Sequence, residues 1–267
     1  MEPIADRKVY LERMAKPLRE KLRVAEYLPS SARTVLDVGC ANGAVTLAMA
    51  RLFPDTRFHG IDLDEGFIAE AQTHGAGVAN VTFERAYLRE LLARPERYGA
   101  VTFVSVLHEF FSYGEGISSV LKAVADAHEI LFPGGVIVIR DMILPDYTRR
   151  TDFQCQDIIR RIGDSPYVTA ARDFEAVHGP LDSIYQVNHF LLKYLYEENW
   201  ERECREHYVP VSFEQYEQLF LLLGMRLEFE ESYLIEYLRA RWREDFGLTD
   251  RELSSLRSTG FLVAKKG

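Results

Sequence analysis

Residues 35–45 read VLDVGCANGAV. An apolar run carrying Asp37 ends at Gly39, Gly43 follows four residues on, and an apolar helical pattern starts at once. A plain strand-to-helix turn needs at most one glycine. Two of them, behind an acid, predict a backbone that approaches something closely, because glycine lacks a Cβ and accepts left-handed conformations. The helix that follows directs its unpaired N–H groups at whatever lies there.

Working outward, strand patterns at 34–39, 57–63, 80–86, 100–107 and 135–141 alternate with helical patterns at 44–53, 65–75, 88–95 and 117–131. This alternation predicts βαβ units and a doubly wound, mostly parallel α/β sheet with helices on both faces. Ahead of it, Tyr10, Met14, Leu18, Leu22 and Ala25 recur at helical spacing, with an interruption near Pro17. After Asp141 the alternation stops. Residues 145–212 read as mostly helical and are rich in Tyr, Phe, Arg and His; then come a helix at 211–224, a strand at 225–234, a charged helix at 234–248 and a last strand at 260–266. The chain is therefore divided into an N-terminal helical lid (1–30), a ligand-binding half (33–141), a helical insertion (145–212) and a C-terminal part (213–267).

The formal net charge of −9 disfavours a protein whose main task is to coat nucleic acid, since phosphate binding needs concentrated Lys and Arg. Three widely spaced cysteines with no Cys-x-x-Cys fit a reducing compartment and argue against a disulfide or zinc framework, so no metal is expected. The N-terminus shows no apolar signal region, and the longest apolar run, LFLLLGM at 219–225, is too short to span a bilayer. The expectation is a cytoplasmic protein without a membrane partner.

The turn is Asp37-x-Gly39-x-x-x-Gly43, not the denser Gly-x-Gly-x-x-Gly of dinucleotide folds. A second acid, Asp62, ends the next strand in FHGIDLDEGF. An acid there can accept both hydroxyls of a ribose. A cationic ligand bearing a ribose suits two acids better than a polyphosphate does.

VLDVGCANG followed by FHGIDLDE resembles motifs I and II of the class I (Rossmann-like) S-adenosylmethionine-dependent methyltransferases, over roughly residues 33–141. The resemblance implies S-adenosylmethionine as cofactor and strand order 3-2-1-4-5-7-6 with the seventh strand antiparallel. It also implies that Asp37, Gly39, Cys40, Ala41 and Gly43 lie under the methionine part, that Asp62 holds the ribose and that Leu63 packs on the adenine. Where the family often places an acid for the adenine amino group, this chain has Tyr87; Glu84 lies within its strand and is a poor substitute.

Methyl transfer from a sulfonium is an in-line displacement, so the protein's main task is to place the acceptor; a base helps if the acceptor is a hydroxyl or a protonated amine. SVLHEFF past the fourth strand puts His108 and Glu109 at the crevice: His108 as base or acceptor-orienting group, Glu109 as its orienter or a substrate contact. The bland alternative for His108 is a satisfied histidine capping the strand. Asp141, ending the fifth strand, binds substrate or caps the chain. In the insertion Tyr185 and His189 are candidates for an acceptor pocket, with Tyr194, Tyr196 and Trp200, although an aromatic stripe is more often core. The pairs Arg149–Arg150 and Arg160–Arg161 suit an anionic acceptor, RNA phosphates or, more simply, a solvated helix face, and Trp242 suits a homodimer contact. The reading is methyl transfer to oxygen or nitrogen of a small molecule. The rivals are an RNA or tRNA methyltransferase and a non-catalytic S-adenosylmethionine-binding protein.

Overall fold

A computed structural model of the chain describes residues 18–151 and 155–267. Tyr10 and Met14, and with them most of the predicted lid, lie outside the described residues. Strands β1 (Thr34–Val38), β2 (Arg57–Asp62), β3 (Val81–Arg85), β4 (Tyr98–Val104), β5 (Leu131–Asp141), β6 (Met225–Tyr233) and β7 (Thr259–Lys266) form one sheet in the order 3-2-1-4-5-7-6. β7 runs antiparallel to both β5 and β6. The helices are α1 (Leu18–Lys21), α2 (Ala44–Leu52), α3 (Glu65–Gly75), α4 (Leu107–Tyr113), α5 (Ile117–Ile130), α6 (Gln156–Gly163), α7 (Val168–His178), α8 (Ile184–Leu191), α9 (Trp200–Arg205), α10 (Phe213–Leu222), α11 (Glu236–Phe246) and α12 (Asp250–Leu253).

The central strands are apolar on both faces because helices cover both. On one face Leu36, Phe103, Ile137 and Leu262 meet Leu107 of α4, Val120 and Val124 of α5 and Phe220 of α10. On the other, Val35, Phe58, Val138 and Phe261 meet Met49 and Ala50 of α2 and Val24. The start of α10 is legible in the sequence: Ser212 and Gln215 form a reciprocal capping box, and Gly224 follows the helix at φ +68°.

Three boundaries differ from the expectation. The predicted helix at 88–95 is a short 3-10 segment, Leu88–Ala93. The fourth strand stops at Val104, and Leu107 already opens α4, so His108 and Glu109 stand in a first helical turn rather than at a strand end. β5 begins at Leu131, ahead of its predicted start. The segment between β5 and β6 is helical and has its own core around Phe174, Phe190 and Leu191, which Trp242 and Phe246 of α11 complete. Trp242 is wholly buried and donates its Nε1–H to Leu191 O at 3.0 Å, so it belongs to this core and not to a dimer surface.

Candidate active site

The turn after β1 is fixed by its neighbours on both sides. Gly39 N and Cys40 N donate to Ile61 O of β2 at 2.8 and 3.0 Å. Gly39 has φ +71°, and a Cβ there would lie 2.3 Å from Val106 Cγ2; at Gly43 (φ +77°) it would lie 2.7 Å from Phe83 Cζ. Both glycines are therefore required by packing whatever the turn binds. Ala41 takes a left-handed φ of 46° without being glycine. The cause is local: its N–H donates to Asp62 Oδ2 at 2.9 Å. No side chain caps α2, whose first-turn amides face the turn.

Asp62 accepts a second N–H, from Asp64, on Oδ1 at 2.9 Å. Each oxygen thus holds one backbone donor, and a carboxylate has about four acceptor positions; roughly two remain for hydroxyls. Burial raises its pKa above the usual carboxylate range, while the amides of Asp64 and Ala41 oppose that. Leu63 and Tyr87 are both exposed. Glu84 is engaged by Arg94 and, at 3.0 Å, by His59. Asp37 lies deeper, 2% exposed, and accepts Thr46 Oγ1 at 2.6 Å and Thr102 Oγ1 at 2.7 Å. Leu18 and Lys21 of α1 roof a recess over Asp37 and Gly39 that holds only about 40 Å³ of free space.

Lys21 also lines a second, far larger space: a chamber of about 710 Å³ between the strand ends, the insertion and α11. His108 and Glu109 face it. Asp141 orients His108, taking Nδ1–H on Oδ1 at 2.9 Å and the backbone N–H on Oδ2 at 3.3 Å. Glu109 does not orient the imidazole as expected, because one residue of helix turns it toward Arg202, 4.0 Å away. Asp141 is 3% exposed and also accepts Met142 N–H, so it serves the histidine and the chain exit and does not line the chamber. His108 Nε2 lies 4.0 Å from Glu206 Oε2. Burial alone would lower the imidazole pKa; the charge and hydrogen bond of Asp141, helped by Glu206 and Glu109, outweigh it and carry it up to about 9. Glu109 is pushed up to about 7 by burial and the nearby charge of Glu206.

Tyr196, Glu203, Glu206 and Tyr208 of the insertion line the chamber, and Arg140 of β5 joins them. Sequence reasoning assigned none of these but Tyr196 to the pocket. Only Arg140 carried a local signal, a lone cation inside the apolar run GVIVIRD. Of the pocket candidates, Tyr185 belongs to the insertion core and His189 is wholly buried behind Tyr208; neither lines the chamber. Tyr185 donates its hydroxyl to Val209 O at 3.0 Å. His189 gathers with His178 and His207, with nitrogens within 4.8 Å of one another. The rings of His189 and His207 stack at 22°, so their in-plane lone pairs run side by side rather than toward a common point, and His189 Nε2 already accepts Tyr208 N–H at 3.1 Å. Burial holds all three imidazoles below the usual histidine range, neutral at pH 7. The cluster is arranged as packing rather than as a metal cradle.

The arginine pairs are largely tied within the chain: Arg149 stacks over Tyr185 at 4.1 Å, Arg160 pairs with Asp157 at 3.1 Å, and Arg161 pairs with Glu252. Cys40, Cys155 and Cys204 are free and buried. Among the described residues no helix is long and apolar enough to cross a membrane.

Residues 35–135 match the family described as Methyltransferase domain. The Probable methyltransferase ltbC of Aspergillus luteorubrus is 28% identical over 134 residues, covering 47% of this chain and 46% of that protein. The chain thus aligns with about half the length of this curated relative. Among solved structures, an O-methyltransferase family protein from Burkholderia thailandensis superposes with a TM-score of 0.58 at 14% identity, covering 98% of this chain and 59% of that one. The plantazolicin methyltransferase BpumL, solved with a pentazolic desmethylPZN analog and SAH, superposes with a TM-score of 0.56 at 11% identity, covering 97% and 89%. At these identities the structural likeness speaks for the fold.

Proposed function

We propose that this chain, which carries a class I S-adenosylmethionine-dependent methyltransferase domain, transfers a methyl group to an oxygen or nitrogen of a small molecule held in the chamber beside His108. The observation that carries this reading is contiguity. Lys21 lines both the recess over the glycine turn and the chamber that His108 faces, so donor and acceptor spaces share a wall.

The residues fit the cofactor at its ribose end, where Asp62 keeps acceptor positions open. Leu63 and Tyr87 flank that end, and the turn Asp37–Gly43 with the uncapped start of α2 lies under the other. S-adenosylmethionine, when bound, supplies an electrophilic methyl on a good leaving group. Leu18 and Lys21 of α1 line the recess at that other end, where the amino-acid part of the cofactor would lie.

His108 then acts on the acceptor. At neutral pH its ring is held protonated, and Nε2–H donates to the acceptor, with the Glu206 carboxylate 4.0 Å away. The deprotonated minority takes the acceptor's proton on Nε2, while Asp141 keeps Nδ1–H in place and stabilises the resulting imidazolium. Glu109, raised to about 7 by burial and the charge of Glu206, stands beside His108 on the chamber wall. The fold alone would permit other chemistry. Calorimetry with S-adenosylhomocysteine, followed by transfer of label from S-adenosylmethionine to candidate acceptors, tests the reading; absence of binding by the intact chain overturns it.

A further inference from the structure

Arg140 has no part in the reaction above, yet the fold keeps its charge buried. It is 6% exposed at the end of β5, next to Asp141 but on the other face of the strand. Nη1 donates to Ser105 Oγ at 2.5 Å and Nη2 reaches Thr259 Oγ1 only at 3.4 Å. Nε–H is buried with no acceptor at all. Among the described residues no carboxylate stands within ion-pair distance of this guanidinium. The acids in its surroundings are engaged elsewhere: Asp141 with His108, and Glu20 with the Tyr233 hydroxyl at 3.1 Å.

A buried guanidinium without a counter-ion is costly, and a buried donor without an acceptor adds to that cost. The fold tolerates this at the wall of an otherwise suitable chamber. Lys21 stands on the same wall, and burial together with the charge of Arg140 lowers its pKa to about 7. Ser105 is held at φ +56°, a strained setting for a non-glycine residue, while it accepts Nη1 and sends its own N–H to Arg140 O at 2.6 Å. The fork is therefore oriented from one side. Its Nε–Nη2 edge, with one donor unclaimed and the other held loosely, matches the two oxygens of a carboxylate.

We propose that Arg140 anchors a carboxylate of the methyl acceptor, so that the substrate is a small organic acid with an apolar body and its hydroxyl or amine at His108. Leu192, Leu195 and Leu238 line the space for that body. The anion is assigned to the acceptor and not to the cofactor because the recess over the glycine turn is lined by Lys21 but not by Arg140. This assignment rests on the methyl-transfer reading only for the identity of the anion's owner.

The test measures binding of 4-hydroxyphenylacetate, phenylacetate and benzoate, each against its neutral amide, by calorimetry on the full chain, with and without S-adenosylhomocysteine. The expected result is at least tenfold preference for one or more acids, lost in Arg140→Gln and partly retained in Arg140→Lys. Melting curves confirm that each variant is folded, and if Arg140→Gln is not, Arg140→Lys must still weaken the acid and leave the amide unchanged. Equal binding of acid and amide by the unaltered chain, no saturable binding of any acid, or an undiminished preference in the variants overturns the proposal. A matching fall in S-adenosylhomocysteine affinity in Arg140→Gln also overturns it, because the anion is then the cofactor's. Failure of S-adenosylhomocysteine to bind the unaltered chain would sink the methyl-transfer reading instead, while acid binding measured without it still reports on Arg140.

Discussion

Asp141 Oδ1 lies 2.9 Å from His108 Nδ1, and the two residues are 33 positions apart. The pair fixes which imidazole nitrogen is presented to the chamber. With His108 held at about 9, the base form grows as pH rises from 7. Methyl transfer to a hydroxyl acceptor should therefore accelerate toward pH 9, and His108→Ala should lower kcat by about a hundredfold or more while S-adenosylhomocysteine affinity stays within about twofold. Asp141→Asn should move the inflection of the rate profile to lower pH. A profile that Asp141→Asn leaves in place would show that the ring is not the titrating group.

The same pair makes a stability prediction with a definite sign. His108 is raised from 6.5 to about 9 in the folded chain, so its contribution is complete below about pH 6.5 and is lost as pH rises through 9. The magnitude is on the order of 3 kcal/mol. Asp141→Asn should cost most near pH 6 and much less near pH 9.5, by urea denaturation at both. Glu206, Glu109 and Tyr208 face the same ring, so single substitutions there should change the size of the effect but not its direction.

Asp62→Ala removes the carboxylate that two backbone amides hold at the turn. It should weaken S-adenosylhomocysteine binding by at least tenfold, consistent with charge-assisted hydrogen bonds of about 1.5–3 kcal/mol. Because Ala41 and Asp64 lose their acceptor, calorimetry should be paired with a melting curve. Unchanged affinity in a folded variant would refute the ribose assignment.

Trp242→Ala tests the insertion core. The ring is fully buried and its N–H is bonded to Leu191 O, so truncation should cost about 3–5 kcal/mol and lower the melting temperature by roughly 10 °C. Sedimentation of the unaltered chain and of Trp242→Phe should give the same association state, since this side chain meets no solvent.

The α/β alternation and the glycine turn were legible because their signals are local: strands and helices in turn, two glycines at fixed spacing, and an acid at the next strand end; the strand order followed only from the family resemblance. The chamber was not legible, since it is made where distant segments meet. Asp141, at the end of β5, and Glu206, within the insertion, both approach His108, and no spacing rule joins them. Tyr185 and His189 misled because an aromatic stripe on a helix reads alike whether it faces a ligand or a neighbouring helix. Glu109 misled because adjacency along the chain is not adjacency in a helix, where consecutive side chains diverge by about 100°.

Val106 fills the space that a side chain at position 39 would need, and His108 follows it two residues later. The turn proposed to lie under the methyl donor and the helix bearing the proposed base are thus keyed to each other like adjoining teeth. Enlarging either side would change the gap between two reactants even with every polar group intact, so reactivity here is hostage to a single apolar contact.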